Sequence, residues 1–159
     1  MGITAEDVKA LREKTGAGMM DCKKALNEAA GDFKKAEKIL KELGLAAAAK
    51  RSGRATTEGR VFSKVGTGRA GILELSCETD FVAKNADFIK LGNEIITAIV
   101  DKGVSPSDPE HTEKLTGLMS TIKENMTLRR SDLMSFSGNE LVVDYNHGEG
   151  RIGVLIKVK

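Results

Sequence analysis

Between residues 4 and 43 the apolar positions recur at helical spacing and divide into three short helices. In the first, Thr4 is placed to cap, Asp7 closes a capping-box variant, and Ile3 and Val8 occupy staple positions. The run Thr15-Gly16-Ala17-Gly18 stops that helix. A second helix follows from about Met19 to Ala29, with Cys22, Leu26 and Ala29 as its inward stripe, and Gly31-Asp32 supplies a stop and a new cap. The third spans Phe33 to Leu43, with Phe33, Ala36, Ile39, Leu40 and Leu43 on one face and Gly44 beyond its end. Residues 45 to 57 pass from an alanine run into Lys50-Arg51-Ser52-Gly53-Arg54 without sustained periodicity. The expected organisation is therefore a three-helix unit at 1–45, a linker at 46–57 and a second unit at 58–159.

In the second unit the period changes. Arg60–Val65 and Gly71–Cys77 alternate as strands around Gly66-Thr67-Gly68, a hairpin signal. A helix is expected from Asp80 to about Asp101, broken at 103–107, with Asp108-Pro109 opening another that reaches roughly Ser120. Strand-like stretches resume at Asn125–Arg130, Leu141–Tyr145 and Arg151–Val158, the last two joined by a turn at His147-Gly148-Glu149-Gly150. Strands and helices are segregated, which predicts an α+β fold with an antiparallel sheet packed against helices.

Composition narrows the reading. The 159 residues are 40% hydrophobic and 30% charged, which suits one ordinary core or a small domain joined to a larger one. With five Phe, one Tyr and no Trp, aliphatic side chains must fill the interior. No apolar run approaches the roughly 20 residues of a membrane span. The opening Thr4-Ala5-Glu6-Asp7 lacks the features of a secretory signal, so an intracellular, cytoplasmic setting is expected. Cys22 and Cys77 lie far apart without metal-ligand spacing, which agrees with a reducing compartment and plain burial. The net charge of +2 announces neither nucleic acid nor membrane. Its distribution is uneven, with twelve basic against eight acidic residues in 1–54 and thirteen against fifteen in 55–159.

Three places merit attention as sites. Thr79-Asp80-Phe81-Val82 lies where a strand gives way to a helix, with Thr79 a natural N-cap and Asp80 a favourable first-turn anion. On an unbroken helix, Val82, Ala86, Ile89, Ile96 and Val100 form one stripe. Phe81 aligns with Phe88, Ile95 and Ile99, so periodicity alone makes it a core residue. Its first-turn position is the reason to consider it a contact. In the second helix, Met20 falls about 160° from the buried stripe, among Lys23, Lys24 and Asn27, and is expected to be exposed. An exposed Met is usually plain surface, though it is also an adaptable contact residue. His111, on a polar helix start, reads as a surface residue, and His147 as a turn histidine.

The segments Thr15-Gly-Ala-Gly-Met-Met-Asp-Cys-Lys-Lys-Ala-Leu26 and Thr79-Asp-Phe-Val-Ala-Lys-Asn85 resemble the two signature segments of the translation elongation factor Ts family. The resemblance covers essentially the whole chain. It implies a non-enzymatic guanine nucleotide exchange factor with no cofactor, acting on the GTPase elongation factor Tu in its GDP form. By matching position, Thr79, Asp80, Phe81 and Val82 take the role of the segment that intrudes into the partner and disturbs its magnesium and phosphate sites. Arg12, Met19, Met20 and Lys23 are implied contacts for the partner's GTPase domain, and Asn125 and His147 further ones. The three-helix unit also resembles a ubiquitin-associated (UBA) domain, which leaves a generic helical protein-recognition module as the alternative. Longer members continue into a second core subdomain not among these residues, so a fragment and a short member both stay open.

Two other function classes fit poorly. A thiol enzyme needs an activating base beside a partly exposed thiol, whereas Cys22 falls on a core face and Cys77 ends an alternating strand. A nucleic-acid module built on Lys50–Arg54 would lack aromatic stacking platforms. Neither a membrane nor a small-molecule substrate is expected as a partner, and no metal site is expected.

Overall fold

A computed structural model describes residues 2–159. The first helix, α1 (Ala5–Thr15), starts in a complete capping box: the Thr4 hydroxyl accepts from the Asp7 amide at 3.1 Å, and the Asp7 carboxylate accepts from the Thr4 amide at 2.9 Å. Gly16, at φ 68°, closes it in the left-handed conformation, with its amide donating to Arg12 O. Helix α2 (Met19–Glu28) and helix α3 (Phe33–Arg51), the latter capped by Asp32, complete the unit. Val8, Leu11, Cys22, Ala25, Leu26, Ala29, Ala36 and Leu40 form its small core. Leu43, expected on the inward face, is exposed.

Helix α3 does not stop at Gly44 but continues through the alanine run to Arg51. The expected linker is thus helical over its first half, and only 52–57 lack regular structure before the sheet. The reason lies in a long-range contact. Gly44 faces Ser120, and a Cβ at position 44 would come within 2.7 Å of the Ser120 Cβ. This glycine permits close helix packing instead of ending the helix. Four residues on, Ala48 is buried in the core of the second unit.

The second unit is a three-stranded antiparallel sheet, β1 (Glu58–Val65), β2 (Arg69–Cys77) and β3 (Met126–Ser135), with β2 in the centre. Gly66-Thr67-Gly68 makes the β1–β2 turn, with Gly68 at φ 69°. The expected long helix is two: α4 (Asp80–Ala83) and α5 (Ala86–Lys102). Asn85 divides them. It is extended, and its side-chain oxygen accepts from the Asp87 and Phe88 amides at 2.8 and 3.3 Å, a second N-cap six residues after Thr79. Ala86 accordingly turns outward instead of joining the apolar stripe.

Helix α5 and helix α6 (Pro109–Ile122) pack with the sheet around Phe62, Leu73, Leu75, Phe88, Ile95 and Ile99. The Phe62 ring lies over Gly92, where any Cβ would overlap it at 2.1 Å. His111, read as a surface residue, is buried at 5% exposure, its Nδ1 3.4 Å from Pro106 O, because the preceding turn folds back over it.

Strands β4 (Leu141–His147) and β5 (Ile152–Val158) form a separate antiparallel hairpin. It hangs on β1 through the Val61 amide donating to Gly150 O at 2.7 Å, the Ser63 hydroxyl donating to Asp144 at 2.6 Å, and Asn146 donating to Ser63 at 2.6 Å. On its other face the cross-strand pairs Leu141–Val158, Val143–Ile156 and Tyr145–Val154 stand exposed. Among the described residues no helix is long and apolar enough to cross a membrane.

Candidate functional site

The site starts from the end of β2. Cys77 is buried, and the chain leaves the sheet through Glu78 and Thr79 into the single turn of α4. Thr79 is extended, its hydroxyl accepting from the Val82 amide at 3.4 Å. The same hydroxyl donates to Glu124 at 2.8 Å, and the Thr79 amide donates to the other Glu124 oxygen at 3.1 Å. Glu78 returns the arrangement, accepting from the Asn125 amide at 2.6 Å. Two carboxylates therefore exchange backbone bonds across the junction of β2 and β3, and charge-assisted bonds of this kind are the stronger class.

On this base the four signature side chains divide. Val82 is buried and holds α4 against the body, whereas Phe81 is 81% exposed. Periodicity had assigned Phe81 to the core with Phe88. Asn85 changes that, because α4 ends before the stripe of α5 begins and its first turn presents a different face. Asp80 pairs with Lys84 at 3.1 Å, and that ammonium holds its carboxyl below the usual range. Phe81 thus projects between a charged pair and an apolar anchor, on a turn whose Thr79, Val82 and Ala83 amides are hydrogen-bonded.

The second candidate segment rests on neighbouring structure. Met19 is exposed and Met20 is 65% exposed, with Arg12 and Lys23 also at the surface. The loop beneath them abuts the end of α6. A Cβ on Gly16 would meet Thr121 Cγ2 at 3.1 Å, and Lys123 lies 3.7 Å from Asp21. Residues 121–124 therefore support the Gly16–Met20 loop at one end and, through Glu124, Thr79 at the other. The two signature segments, more than fifty residues apart in sequence, share one brace.

The remaining candidates fall differently. His147 is exposed at the end of β4, stacked on Tyr145 with ring centroids 6.1 Å apart, and its Nδ1 lies 3.1 Å from the Tyr145 hydroxyl. The turn it enters, Gly148-Glu149, lines a depression together with Asp80, Ala83 and Lys84. Asn125 is not a surface residue: it is 3% exposed, and its side-chain amide donates to Ser52 O at 3.3 Å and Arg54 O at 2.6 Å. It ties the segment before β1 to the start of β3, so the expected contact role gives way to an internal clamp. The Cys77 thiol is pushed up to about 12 by burial, with Glu124 and Glu58 adding repulsion, and stays protonated at neutral pH.

A family model described as Elongation factor TS matches residues 78–159, 82 of the 159 positions. The chain belongs to the elongation factor Ts family. Similar proteins carry the same name across the full chain. Elongation factor Ts of Borrelia hermsii (strain HS1 / DAH) is 48% identical over 160 residues, spanning 100% of this chain and 58% of that protein. That of Treponema denticola is 49% identical over 159 residues, spanning 100% of this chain and 57% of that protein. Borreliella burgdorferi (strain ATCC 35210 / DSM 4680 / CIP 102532 / B31) has one 47% identical over 158 residues, covering 99% and 57%. The chain spans 57–58% of the length of these curated relatives.

The elongation factor Ts match opens at Glu78, one residue before the cap that carries Phe81. Glu78 and Glu124, which fix that cap, were not singled out from the sequence. Their signal was slight: each is an acidic residue at an element boundary, and only the fold brings them together.

Proposed function

We propose that this chain promotes release of GDP from elongation factor Tu by inserting the Thr79–Val82 turn into that GTPase. The observation that carries the reading is the 81% exposure of Phe81 on a turn pinned by Glu124 and Val82. A large apolar side chain displayed on preorganised backbone loses little further entropy on docking. Burying it in a partner is worth about 1.5–3 kcal/mol, and a hot-spot anchor about 2–4 kcal/mol. That is enough to shift a marginally balanced element beside bound magnesium and phosphate. Asp80 enters beside Phe81 and competes for cationic groups near the phosphates. Arg12, Met19, Met20 and Lys23 would hold the GTPase domain at the other end of the brace, with His147 at the margin.

No side chain of this chain undergoes chemistry in that process, and no cofactor of its own is required. Action would be in the cytoplasm, where elongation runs. The energetic relation is reciprocal: whatever factor the chain removes from GDP affinity, GDP removes from affinity for the chain. The test is release of a fluorescent GDP from elongation factor Tu. The wild-type chain should accelerate it, and Phe81→Ala should lose most of the acceleration while remaining folded. Full activity in the variant would remove Phe81 from the mechanism.

A further inference from the structure

Beside the Phe81 turn runs an open trough of about 350 Å³ between the β1–β2–β3 sheet and the turn before β5. Its charged lining comprises Arg60, Arg129, Arg130 and Arg151 against Glu58 and Glu74, a surplus of two positive charges. Two local features build it. The β2–β3 ladder slips between Glu74 and Leu75, leaving Arg129 as the extra residue of a bulge. Consecutive strand residues normally point to opposite faces. Here the bulge re-aims one of them, and both reach Glu74, Arg129 at 3.6 Å and Arg130 at 2.5 Å. On the opposite wall the Arg60 stem lies across Gly150, at φ 88°, where a Cβ would strike Arg60 Cγ at 2.5 Å. Glycine at 150 thus leaves the space that holds Arg60 in place.

Glu74 neutralises part of the Arg129–Arg130 wall. Arg60 and Arg151 make no ion pair with any of the described residues. The trough is also continuous with the Phe81 turn, since Arg60 and Arg151 equally line the depression containing Asp80 and Lys84. We propose that this trough receives a carboxylate-rich segment of the GTPase, aligned by the Arg60 and Arg151 guanidiniums as the Phe81 turn inserts. This rests on the exchange reading and names the chemistry of a second contact. Guanidinium forks match carboxylates bidentately, and a trough open along its length suits a peptide segment better than an enclosed small molecule. The division of labour follows: the trough governs encounter and register, and Phe81 governs nucleotide release.

Two arms test it. In the first, the isotopically labelled chain is titrated with a hexaglutamate peptide, with hexaglutamine and inorganic phosphate as controls. Amide shifts centred on Arg60, Arg130 and Arg151 with hexaglutamate alone, fading as salt is added, are expected. Shifts confined to the lysine-rich surface of α2 and α3, or a response to phosphate without one to the peptide, would overturn the proposal. In the second, stopped-flow association with the GTPase is measured. The doubly neutralised Arg60→Gln/Arg151→Gln variant should associate about tenfold more slowly at low salt, with a flatter salt dependence. Arg60→Lys/Arg151→Lys, which keeps the charge, should retain most of the rate, and this separates charge from misfolding. Wild-type association by the Gln variant would refute the trough's role. If the wild-type chain failed to accelerate GDP release, the exchange reading would fall, and the peptide arm would still decide the trough.

Discussion

Phe81 and Phe88 stand seven residues apart, a spacing that brings two side chains to the same side of an unbroken helix. One is 81% exposed and the other 0%. Between them lies Asn85, extended after the Lys84 end of α4, whose side chain caps the start of α5. Hydrophobicity is equal at the two positions, so the difference in fate comes from a polar residue between them. A short capped turn can thus display an apolar side chain that an uninterrupted helix would bury, and two carboxylates across the sheet junction keep that turn in place.

The contrast can be broken first from the buried side. Phe88→Ala should cost about 3–5 kcal/mol, read as a lower midpoint in urea unfolding, because it empties the space between Phe62 and the helix core. Gly92→Ala comes next. Its methyl would overlap the Phe62 ring, and displacing that ring should cost about 1–3 kcal/mol in the same assay. Asn85→Ala removes the cap dividing α4 from α5 and should cost about 1 kcal/mol. Hydrogen exchange would then show faster opening at the Asp87 and Phe88 amides, which lose their acceptor. The smallest effect belongs to Phe81→Ala, within about 0.5 kcal/mol of wild type. A large loss of stability there would mean that Phe81 packs on its own fold and is not held ready for a partner.

Much of this architecture was legible because its signals are local. The Thr4–Asp7 box, the Gly66-Thr67-Gly68 turn and the apolar stripe of α2 each depend on residues within a few positions of one another, and each appears where expected. What escaped depends on partners distant in sequence. Gly44 reads as a helix stop until Ser120 is seen against it. His111 reads as surface until the preceding turn covers it. Asn125 is an implied contact until the carbonyls of Ser52 and Arg54 arrive from more than seventy positions away. Asn85 is the exception. Its capping signal was local, but a strong apolar period running through it concealed the break. At the site, the exposure of Met20 follows from helix geometry, whereas Met19 and Phe81 are placed at the contact by resemblance and not by periodicity.

The exposed cross-strand pairs of the β4–β5 hairpin carry a consequence for the material itself. A row of branched aliphatic side chains turned to water makes solubility depend on which salt is present as much as on how much. Sulfate, which is excluded from such surface, should lower the concentration at which molecules cluster, whereas mild urea, which solvates it, should raise that concentration before any helix melts.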